Sequence, residues 1–296
     1  MVIIWGVNFS VVKVAMRDFP ELAFNALRLV IGSTMFGAAI WWMRRRERSA
    51  GGFPRITRAD WLRLIGLGVI GHFVYQLLFL GGLKRTSVGN GSLIVGSSPV
   101  VIALLSALLG HERVTPLRWL GVVLALGGLY LVVGHRVDWS MESRIGDALM
   151  VGSLLCWAMY SVGAQPLLRR HSPLVVTGVS MSVGGLLYIA FSLPVLLTVD
   201  WRAISTLSWW LMIGSAVLAL SVAYLIWYTA LQRIGSTRTS VYSYLTPVVA
   251  MLVAAVWLGE PITINQALGA ATIVTGLVVT RLAPVRQPAD PGSSGR

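Results

Sequence analysis

Polar and aromatic side chains recur in the middle of long apolar stretches of this sequence. His72, Tyr75, Gln76 and Phe79 follow an i, i+3, i+4, i+7 spacing, so on a helix they share one face. Polar groups that face lipid leave hydrogen bonds unmade, and we therefore expect this face to point inward. It can stack planar groups and hydrogen-bond polar ones, which favours a solute-binding cavity over packing between helices.

Similar residues in other apolar stretches complete the predicted cavity. The alternative roles are hydrogen bonds between helices and aromatic belts at the membrane surface. Belts account for the tryptophans near predicted span ends, which are Trp41, Trp42, Trp61, Trp201, Trp209 and Trp210. Aromatic belts account poorly for the polar and aromatic residues in the middle of the predicted spans. The predicted substrate-binding residues are Trp5, Asn8, His72, Tyr75, Gln76, Phe79, Ser92, Trp157, Tyr160, Tyr224, Trp227 and Ser240.

Charged side chains are expected to stay out of this cavity. No Asp or Glu lies in the middle of a predicted span, and Lys13 and Arg28 are interpreted as snorkelling or paired near the outer face. A cavity with neither a carboxylate nor an unpaired cation at mid-depth offers no counter-charge to a strongly ionic solute. The sequence thus predicts loose selectivity that favours neutral amino acids and disfavours dianions.

Enzymatic chemistry has little support in the sequence. The four histidines lie at positions 72, 111, 135 and 171 without the spacing of metal ligands, so we expect no catalysis, no metal and no cofactor. A proton relay needs a carboxylate or a histidine within the membrane, and only His72 qualifies. Proton coupling and facilitated movement down a gradient both stay open.

The composition indicates an integral membrane protein. Hydrophobic residues make up 56% of the chain and charged residues 12%, with a mean hydropathy of +0.75, whereas soluble domains carry about a quarter charged residues. The formal net charge of +13 comes from residues between apolar stretches, and a cluster of arginines runs from Arg44 to Arg63. Such a loop is typical of a cytoplasmic side facing anionic headgroups, which argues against nucleic acid as a partner.

Ten apolar stretches are predicted to cross the membrane as helices, the first of them short. Loop charges favour cytoplasmic N- and C-termini, and the tail 283–296 is expected to be disordered. The predicted spans are Ile3–Met16, Leu22–Met43, Trp61–Leu83, Ser87–Leu109, Thr115–Gly134, Ile145–Leu168, Pro173–Val199, Ser205–Gln232, Thr237–Leu258 and Thr263–Leu282.

An internal repeat organises the chain. The stretch Leu83–Thr115 recurs as Leu231–Thr263 at a constant offset of 148 residues, half the chain length. The matches include Arg85 with Arg233, Ser92 with Ser240, Pro99 with Pro247, Glu112 with Glu260, and two glycine pairs, Gly121 with Gly269 and Gly128 with Gly276. Because each repeat has five spans, the second half must enter the membrane the other way up. The predicted fold is all-α, with two inverted five-helix repeats at 1–136 and 143–282.

Two repeated positions have structural roles in this prediction. Pro99 and Pro247 stand mid-span, where each frees the carbonyl four residues earlier and opens a kink, either a static bend or a moving hinge. Glu112 and Glu260 follow spans four and nine, next to Thr115 and Thr263, which suit the N-caps of the following spans. Capping is the expected role of these acids.

These motifs carry a family resemblance. WGVNFSVVK in the first span, its counterpart WAMYSVGAQ, the paired P-V-V and G-H-E/L-G-E segments and the Gly-rich fifth and tenth spans resemble the EamA branch of the drug/metabolite transporter superfamily. Within it the sequence is most similar to bacterial aromatic amino-acid exporters. The resemblance implies a secondary transporter of the bacterial inner membrane that exports small neutral solutes by alternating access.

Other functions stay open at this point. The chain could export or facilitate other metabolites or drugs, or act as a channel or a lipid-translocating protein. The expected partners are a small-molecule substrate and the lipid bilayer, and the sequence is compatible with either a monomer or a dimer.

Overall fold

A computed structural model describes residues 1–47, 56–108, 116–134, 141–234, 239–240, 242–243 and 245–282 of the chain. The predicted tail 283–296, Glu112 and Thr115 lie outside the described residues. Within these ranges the regular elements are helices and there is no strand. The all-α prediction is confirmed for this part of the chain.

The helices follow the predicted spans with ends that differ by a few residues, except that the ninth helix begins at Leu245 and not at Thr237. They are α1 Val2–Ala15, α2 Glu21–Glu47, α3 Arg58–Arg85, α4 Val88–Gly96 with Ser98–Leu108, α5 Pro116–Gly134, α6 Met141–Gly163 with a further turn Gln165–Leu168, α7 Pro173–Leu196, α8 Thr206–Ile234, α9 Leu245–Leu258 and α10 Ile264–Leu282.

Six helices in the described part of the chain are long and apolar enough to cross a membrane: α2, α3, α4, α6, α7 and α8. Helices α1 and α9 are apolar but shorter. The remaining apolar surface of the long helices faces outward, as at Trp210 and Leu186, whose side chains are 68% and 69% exposed. Long apolar helices with an apolar exterior are typical of a protein that is surrounded by lipid.

Serine and threonine side chains begin several of these helices. Thr57, Ser87, Ser172 and Ser205 each accept a hydrogen bond from the backbone N–H three residues later, at the starts of α3, α4, α7 and α8. Thr263 does the same for Gln266 at 3.2 Å, and its own N–H donates to the Gln266 side chain at 3.1 Å. This reciprocal capping box confirms the predicted N-cap at Thr263.

The helices pack in pairs that join the two halves of the chain. Helix α2 packs on α7 and α5 packs on α10, while α1 lies against α8 and α9, and α6 lies against α3 and α4. Small residues allow the backbones to approach closely. A Cβ added to Gly128 of α5, for example, would lie 2.7 Å from the backbone nitrogen of Ile273 in α10.

Helices α3 and α8 each contain a π-helical segment, Val69–Val74 in α3 and Ser215–Val222 in α8. The two segments end at residues separated by the repeat offset. A π-helical turn holds more residues than an α-helical turn, and such turns often occur at functional sites. They were not predicted from the sequence, and they change which side chains share a face.

The repeated prolines lie beside a break in α4 and near the start of α9. Ser97 separates the two segments of α4, and Pro99 is the second residue of the second segment. Pro247 lies in the first turn of α9, where a missing N–H removes no helical hydrogen bond. The bend predicted at Pro99 therefore coincides with a helix break, whereas Pro247 is near a helix start rather than in the middle of one.

Glu260 caps a different helix from the one that the sequence suggested. Gly259 ends α9 with a left-handed φ of 68°, and the Glu260 N–H then donates to the Ala254 carbonyl at 3.3 Å. The Glu260 carboxylate accepts from Val88 N–H at 3.2 Å and from Gly89 N–H at 3.3 Å. It stabilises the N-terminus of α4, in the other half of the chain, and not that of the following span.

Candidate functional site

A cavity lies in the middle of the bundle between residues of both halves. It holds about 620 Å³ of empty space when its open side is counted. Its lining is Trp5, Asn8, Phe9, Arg28, Tyr75, Gln76, Phe79, Val95, Gly96, Ser98, Trp157, Ala219, Leu220, Tyr224, Ser243 and Thr246.

Most of the predicted substrate-binding residues lie in this wall. Those present are Trp5, Asn8, Tyr75, Gln76, Phe79, Trp157 and Tyr224. They come from four helices, α1, α3, α6 and α8, that are far apart in the sequence. The structure thus brings together the aromatic groups that the sequence analysis assigned to one cavity.

Trp157 is the centre of the aromatic wall. Its ring centroid lies 5.6 Å from that of Trp5, 5.7 Å from Tyr75, and 5.5 Å from both Tyr224 and Trp227. The contacts with Trp5 and Tyr224 are edge-to-face, with interplanar angles of 88° and 77°. Edge-to-face packing places the positive edge of one ring against the negative face of another. The wall therefore presents both ring edges and ring faces to a solute.

Helix α1 is held in place by hydrogen bonds to the π-helical segment of α8. The Trp5 indole N–H donates to the Ala219 carbonyl at 3.1 Å. The Ser215 hydroxyl donates to the Asn8 side-chain oxygen at 2.5 Å. The π-helical turn leaves the Ala219 carbonyl accessible to this donor, so the irregular part of α8 positions two cavity residues of α1.

His72 lies behind the wall and not in it. It is fully buried, its Nε2 atom is 2.9 Å from the Tyr160 hydroxyl, and that hydroxyl is 2.8 Å from the Ser180 hydroxyl. The prediction that His72, Tyr75, Gln76 and Phe79 share one face assumed a regular α-helix. Because His72 is in the π-helical segment, the extra residue in that turn rotates it away from the other three.

Four other predicted residues also lie outside the wall. Tyr160 bonds to His72, and Trp227 packs behind Trp5 at a ring distance of 5.6 Å. The Ser92 hydroxyl donates to the Gly89 carbonyl of its own helix at 2.9 Å, and the Ser240 carbonyl accepts from the Ser243 hydroxyl at 2.6 Å. These residues support the cavity or its helices without lining it.

Repeat-related positions line the cavity together and were missed from the sequence. Val95 and Ser243 are separated by the repeat offset, and so are Ser98 and Thr246. All four flank the breaks that precede Pro99 and Pro247. The repeat register combined with the two prolines was a signal that could have found them. Phe9, Gly96, Ala219 and Leu220, which also line the cavity, carried no comparable signal.

Arg28 corrects the prediction for charged residues. It was expected to snorkel or pair near the outer face, but it is only 2% exposed and lines the cavity. Its Nη1 atom donates to the Asn25 side-chain oxygen at 3.2 Å, and its guanidinium lies 5.2 Å from the centre of the Phe24 ring. The cavity therefore contains a cation, and the expectation of no counter-charge is wrong. By contrast, Lys13 does lie at a helix end, where it donates to the Leu83 and Thr86 carbonyls.

Acidic residues outside the cavity join helix ends. Asp60 at the start of α3 lies 3.1 Å from His171 Nε2 and 3.5 Å from Arg170 Nη1, in the turn before α7. Asp18, in the turn after α1, accepts hydrogen bonds from the Ser205 and Ser208 hydroxyls, and these lower the pKa of its carboxyl group. Across the described ranges, no three His, Cys, Asp or Glu residues are grouped so that they could hold a metal ion.

Known proteins resemble this chain over nearly its whole length. The family model for the EamA-like transporter family matches residues 1–134 and 144–282. A Bacillus subtilis protein described as uncharacterized transporter YyaM is 30% identical over 286 residues, which cover 96% of this chain and 91% of that protein. An uncharacterized transporter of Archaeoglobus fulgidus is 26% identical over 280 residues, covering 93% of this chain and 94% of the relative.

The fold also has a counterpart among solved structures. One crystal structure superposes with a TM-score of 0.66 at 21% identity, covering 95% of this chain and 98% of the other. At this identity the similarity concerns the arrangement of the helices alone.

Proposed function

The chain belongs to the EamA-like transporter family and is a multi-pass membrane transporter, and we propose that it exports small neutral solutes, namely amino acids including aromatic ones, by alternating access. In this proposal two inverted five-helix repeats close alternately on either side of the central cavity. Both termini face the cytoplasm of a bacterial inner membrane.

The observation that carries the proposal is the composition of the cavity wall. Trp5, Tyr75, Trp157 and Tyr224 present aromatic surface, and Asn8 and Gln76 present amide groups beside it. Aromatic contacts contribute roughly 0.5–1.5 kcal/mol each and tolerate different apolar groups. A wall of this kind suits amino acids with apolar or aromatic side chains and gives broad selectivity among them.

The pairing of the helices supports an arrangement of two inverted halves. If each helix is exchanged for the one five places away, the contact of α1 with α9 becomes that of α6 with α4. The α1–α8 contact becomes the α6–α3 contact, and α2–α7 and α5–α10 become themselves. A two-fold axis through the cavity produces this pattern, and inverted repeats around a central site are common in secondary transporters.

Flux measurements in liposomes test the proposal. Purified protein in proteoliposomes should give saturable uptake of radiolabelled phenylalanine that unlabelled tryptophan and leucine inhibit. Glutamate should be carried more slowly, because its second carboxylate finds no second cation among the described residues that line the cavity. Linear flux that does not saturate would indicate a channel, and flux without competition among amino acids would refute the proposed substrate class.

Two substitutions in the wall sharpen this test. Gln76→Ala and Trp157→Ala should impair flux in protein that still elutes as a single species in detergent. Trp210→Ala is the matched control, since Trp210 is 68% exposed on the outside of the bundle. Full activity of both cavity variants, or equal loss in the control, would contradict the assignment of the cavity as the transport site.

A further inference from the structure

Within the described part of the chain, the cavity lining contains one cation, Arg28, that has no anionic partner. Arg28 lies about 10 Å along α2 from Glu21, at 1.5 Å per residue, and is 2% exposed. Among the described residues no carboxylate lies within ion-pair distance of it, and no Asp or Glu lines the cavity. An uncompensated charge in low-dielectric surroundings is costly, so a buried arginine normally has an anionic partner.

The described residues supply hydrogen-bond acceptors for only part of the Arg28 guanidinium. Nη1 donates to Asn25, a neutral side chain one turn earlier, and the ring of Phe24 covers one side. The Nε–H group is buried and has no acceptor. Asn25 is itself fully buried, so it fixes the orientation of the guanidinium, while the Nε–H group stays without an acceptor among the described residues. A planar fork with one edge available matches the two oxygens of a carboxylate.

Two further buried polar atoms of the wall also lack partners. They are the side-chain oxygen of Gln76 and the hydroxyl oxygen of Thr246. Both residues line the same cavity as Arg28 and lie on helices α3 and α9. Buried polar atoms normally have hydrogen-bond partners, and a solute in this cavity would supply partners for these three.

We propose that Arg28 binds the carboxylate of the transported solute, and that this carboxylate is the group the site requires. The inference rests on the proposed function and specifies its substrate class, a monocarboxylate with an apolar or aromatic body. The guanidinium holds the carboxylate, and the rings around Trp157 hold the body. An ammonium group, where the solute has one, meets only neutral acceptors such as Gln76, so it contributes less than the carboxylate.

The charge in the cavity excludes other solute classes. One guanidinium neutralises one carboxylate, whereas a phosphate dianion would bring a second charge that no described lining residue balances. An amine without a carboxylate would place a second cation beside Arg28. The site therefore selects singly charged carboxylates and zwitterions, and it rejects amines even when their aromatic part is the same.

A ligand series on the wild-type protein tests the proposal without any substitution. Binding of four compounds that share a phenyl ring is measured by calorimetry on purified protein in detergent: phenylalanine, 3-phenylpropionate, 2-phenylethylamine and 3-phenylpropan-1-ol. The first two should bind at least about thirtyfold more tightly than the last two, the loss typical of removing one partner of a buried charged pair. Equal binding of the amine or the alcohol would overturn the proposal.

Variants at Arg28 then connect this preference to one side chain. Arg28→Gln should lose about thirtyfold in affinity for 3-phenylpropionate and lose the preference over the alcohol, while Arg28→Lys keeps the preference with weaker binding. Arg85→Gln is the matched control, because Arg85 is a half-buried arginine that donates to the Gly81 carbonyl and does not line the cavity. An unchanged carboxylate preference in folded Arg28→Gln would refute the assignment.

Flux and binding measurements together distinguish a failure of the proposed transport function from a failure of the proposed carboxylate site. If wild-type liposomes carry none of the four compounds while the purified protein still prefers carboxylates through Arg28, the proposed transport of amino acids is wrong and the carboxylate site stands. If the protein carries phenylalanine but Arg28→Gln carries it equally well, the transport proposal stands and the role of Arg28 is wrong. If the protein binds none of the four, the carboxylate site is overturned.

Discussion

The close approach of α3 and α7 gives a matched pair of substitutions with opposite predicted effects. Gly66 and Gly68 are two residues apart on α3. A Cβ added to Gly66 would meet nothing within 4 Å, whereas a Cβ added to Gly68 would lie 2.6 Å from the Ser180 carbonyl oxygen and 3.1 Å from the Gly184 backbone nitrogen. Real Cβ atoms do not come that close to backbone, and backbone atoms cannot rotate away as a side chain can.

The predicted changes in the free energy of unfolding are the sum of two contributions, helix propensity and packing. Replacing a helical glycine by alanine stabilises the helix by about 0.5–1 kcal/mol, and this term applies at both positions. At Gly68 the added methyl group must also push α7 away, and overpacking of this kind costs roughly 1–3 kcal/mol. Gly66→Ala should therefore be slightly stabilising, and Gly68→Ala should be less stable than Gly66→Ala by about 1–3 kcal/mol.

Thermal unfolding in detergent micelles measures the difference. The midpoint for Gly68→Ala should fall several degrees below that for Gly66→Ala, since a kcal/mol corresponds to about 2–4 °C for a protein of this size class. A Gly184→Ala variant, which approaches Gly68 from the α7 side, should show the same defect. Equal midpoints for Gly66→Ala and Gly68→Ala would show that the two helices do not pack as closely as described.

Three further predictions concern the ends and breaks of the helices. Replacing Pro99 and Pro247 together by Ala should slow transport more than it weakens substrate binding, because regular helices resist the bend; equal loss of both, measured by flux and calorimetry, would argue against a hinge. Glu260→Gln should lower the unfolding midpoint by the equivalent of about 0.5–2 kcal/mol, since it removes the charge that caps α4, while Asp200→Asn, on an exposed side chain outside the helices, should not; a matching fall in Asp200→Asn would show that the capping contact contributes nothing. Reporter fusions should place the loop from Arg44 to Arg58 and the C-terminus on the cytoplasmic side. Signals from opposite sides would contradict the predicted even number of spans between them.

The aromatic part of the cavity was predictable from the sequence because its residues are conspicuous. Trp5 and Trp157 stand in the middle of apolar stretches, where neither a loop nor a membrane surface accounts for them. Helical spacing then placed Tyr75 and Gln76 on one face with Phe79, which follows them by four and three residues. Residue type and helical spacing carry this information locally, so no knowledge of the packing was required.

The errors came from features that depend on packing. His72 was assigned to the cavity because a regular helix was assumed, and the π-helical segment cannot be read from VIGHFV. Arg28 was assigned to the outer face because, on an isolated helix, extending the side chain to the membrane surface costs less free energy than burying its charge. In the structure the guanidinium contacts Asn25 and Phe24 and lies at the cavity. Glu260 was paired with the neighbouring span since the sequence shows only what is adjacent, and its partners Val88 and Gly89 lie in the other half of the chain.

The contact between Gly96 and Pro247 restricts which substitutions the chain can accept at these positions during evolution. A Cβ added to Gly96 would overlap the Pro247 ring, with its Cδ atom only 3.0 Å away. Each residue interrupts or begins a helix beside the cavity, and neither can be enlarged without moving the other. Among descendants of this sequence, a larger residue at position 96 should survive only where position 247 has lost its ring. The two halves of the gene, although they encode separate five-helix units in our proposal, must then accumulate changes at this point together.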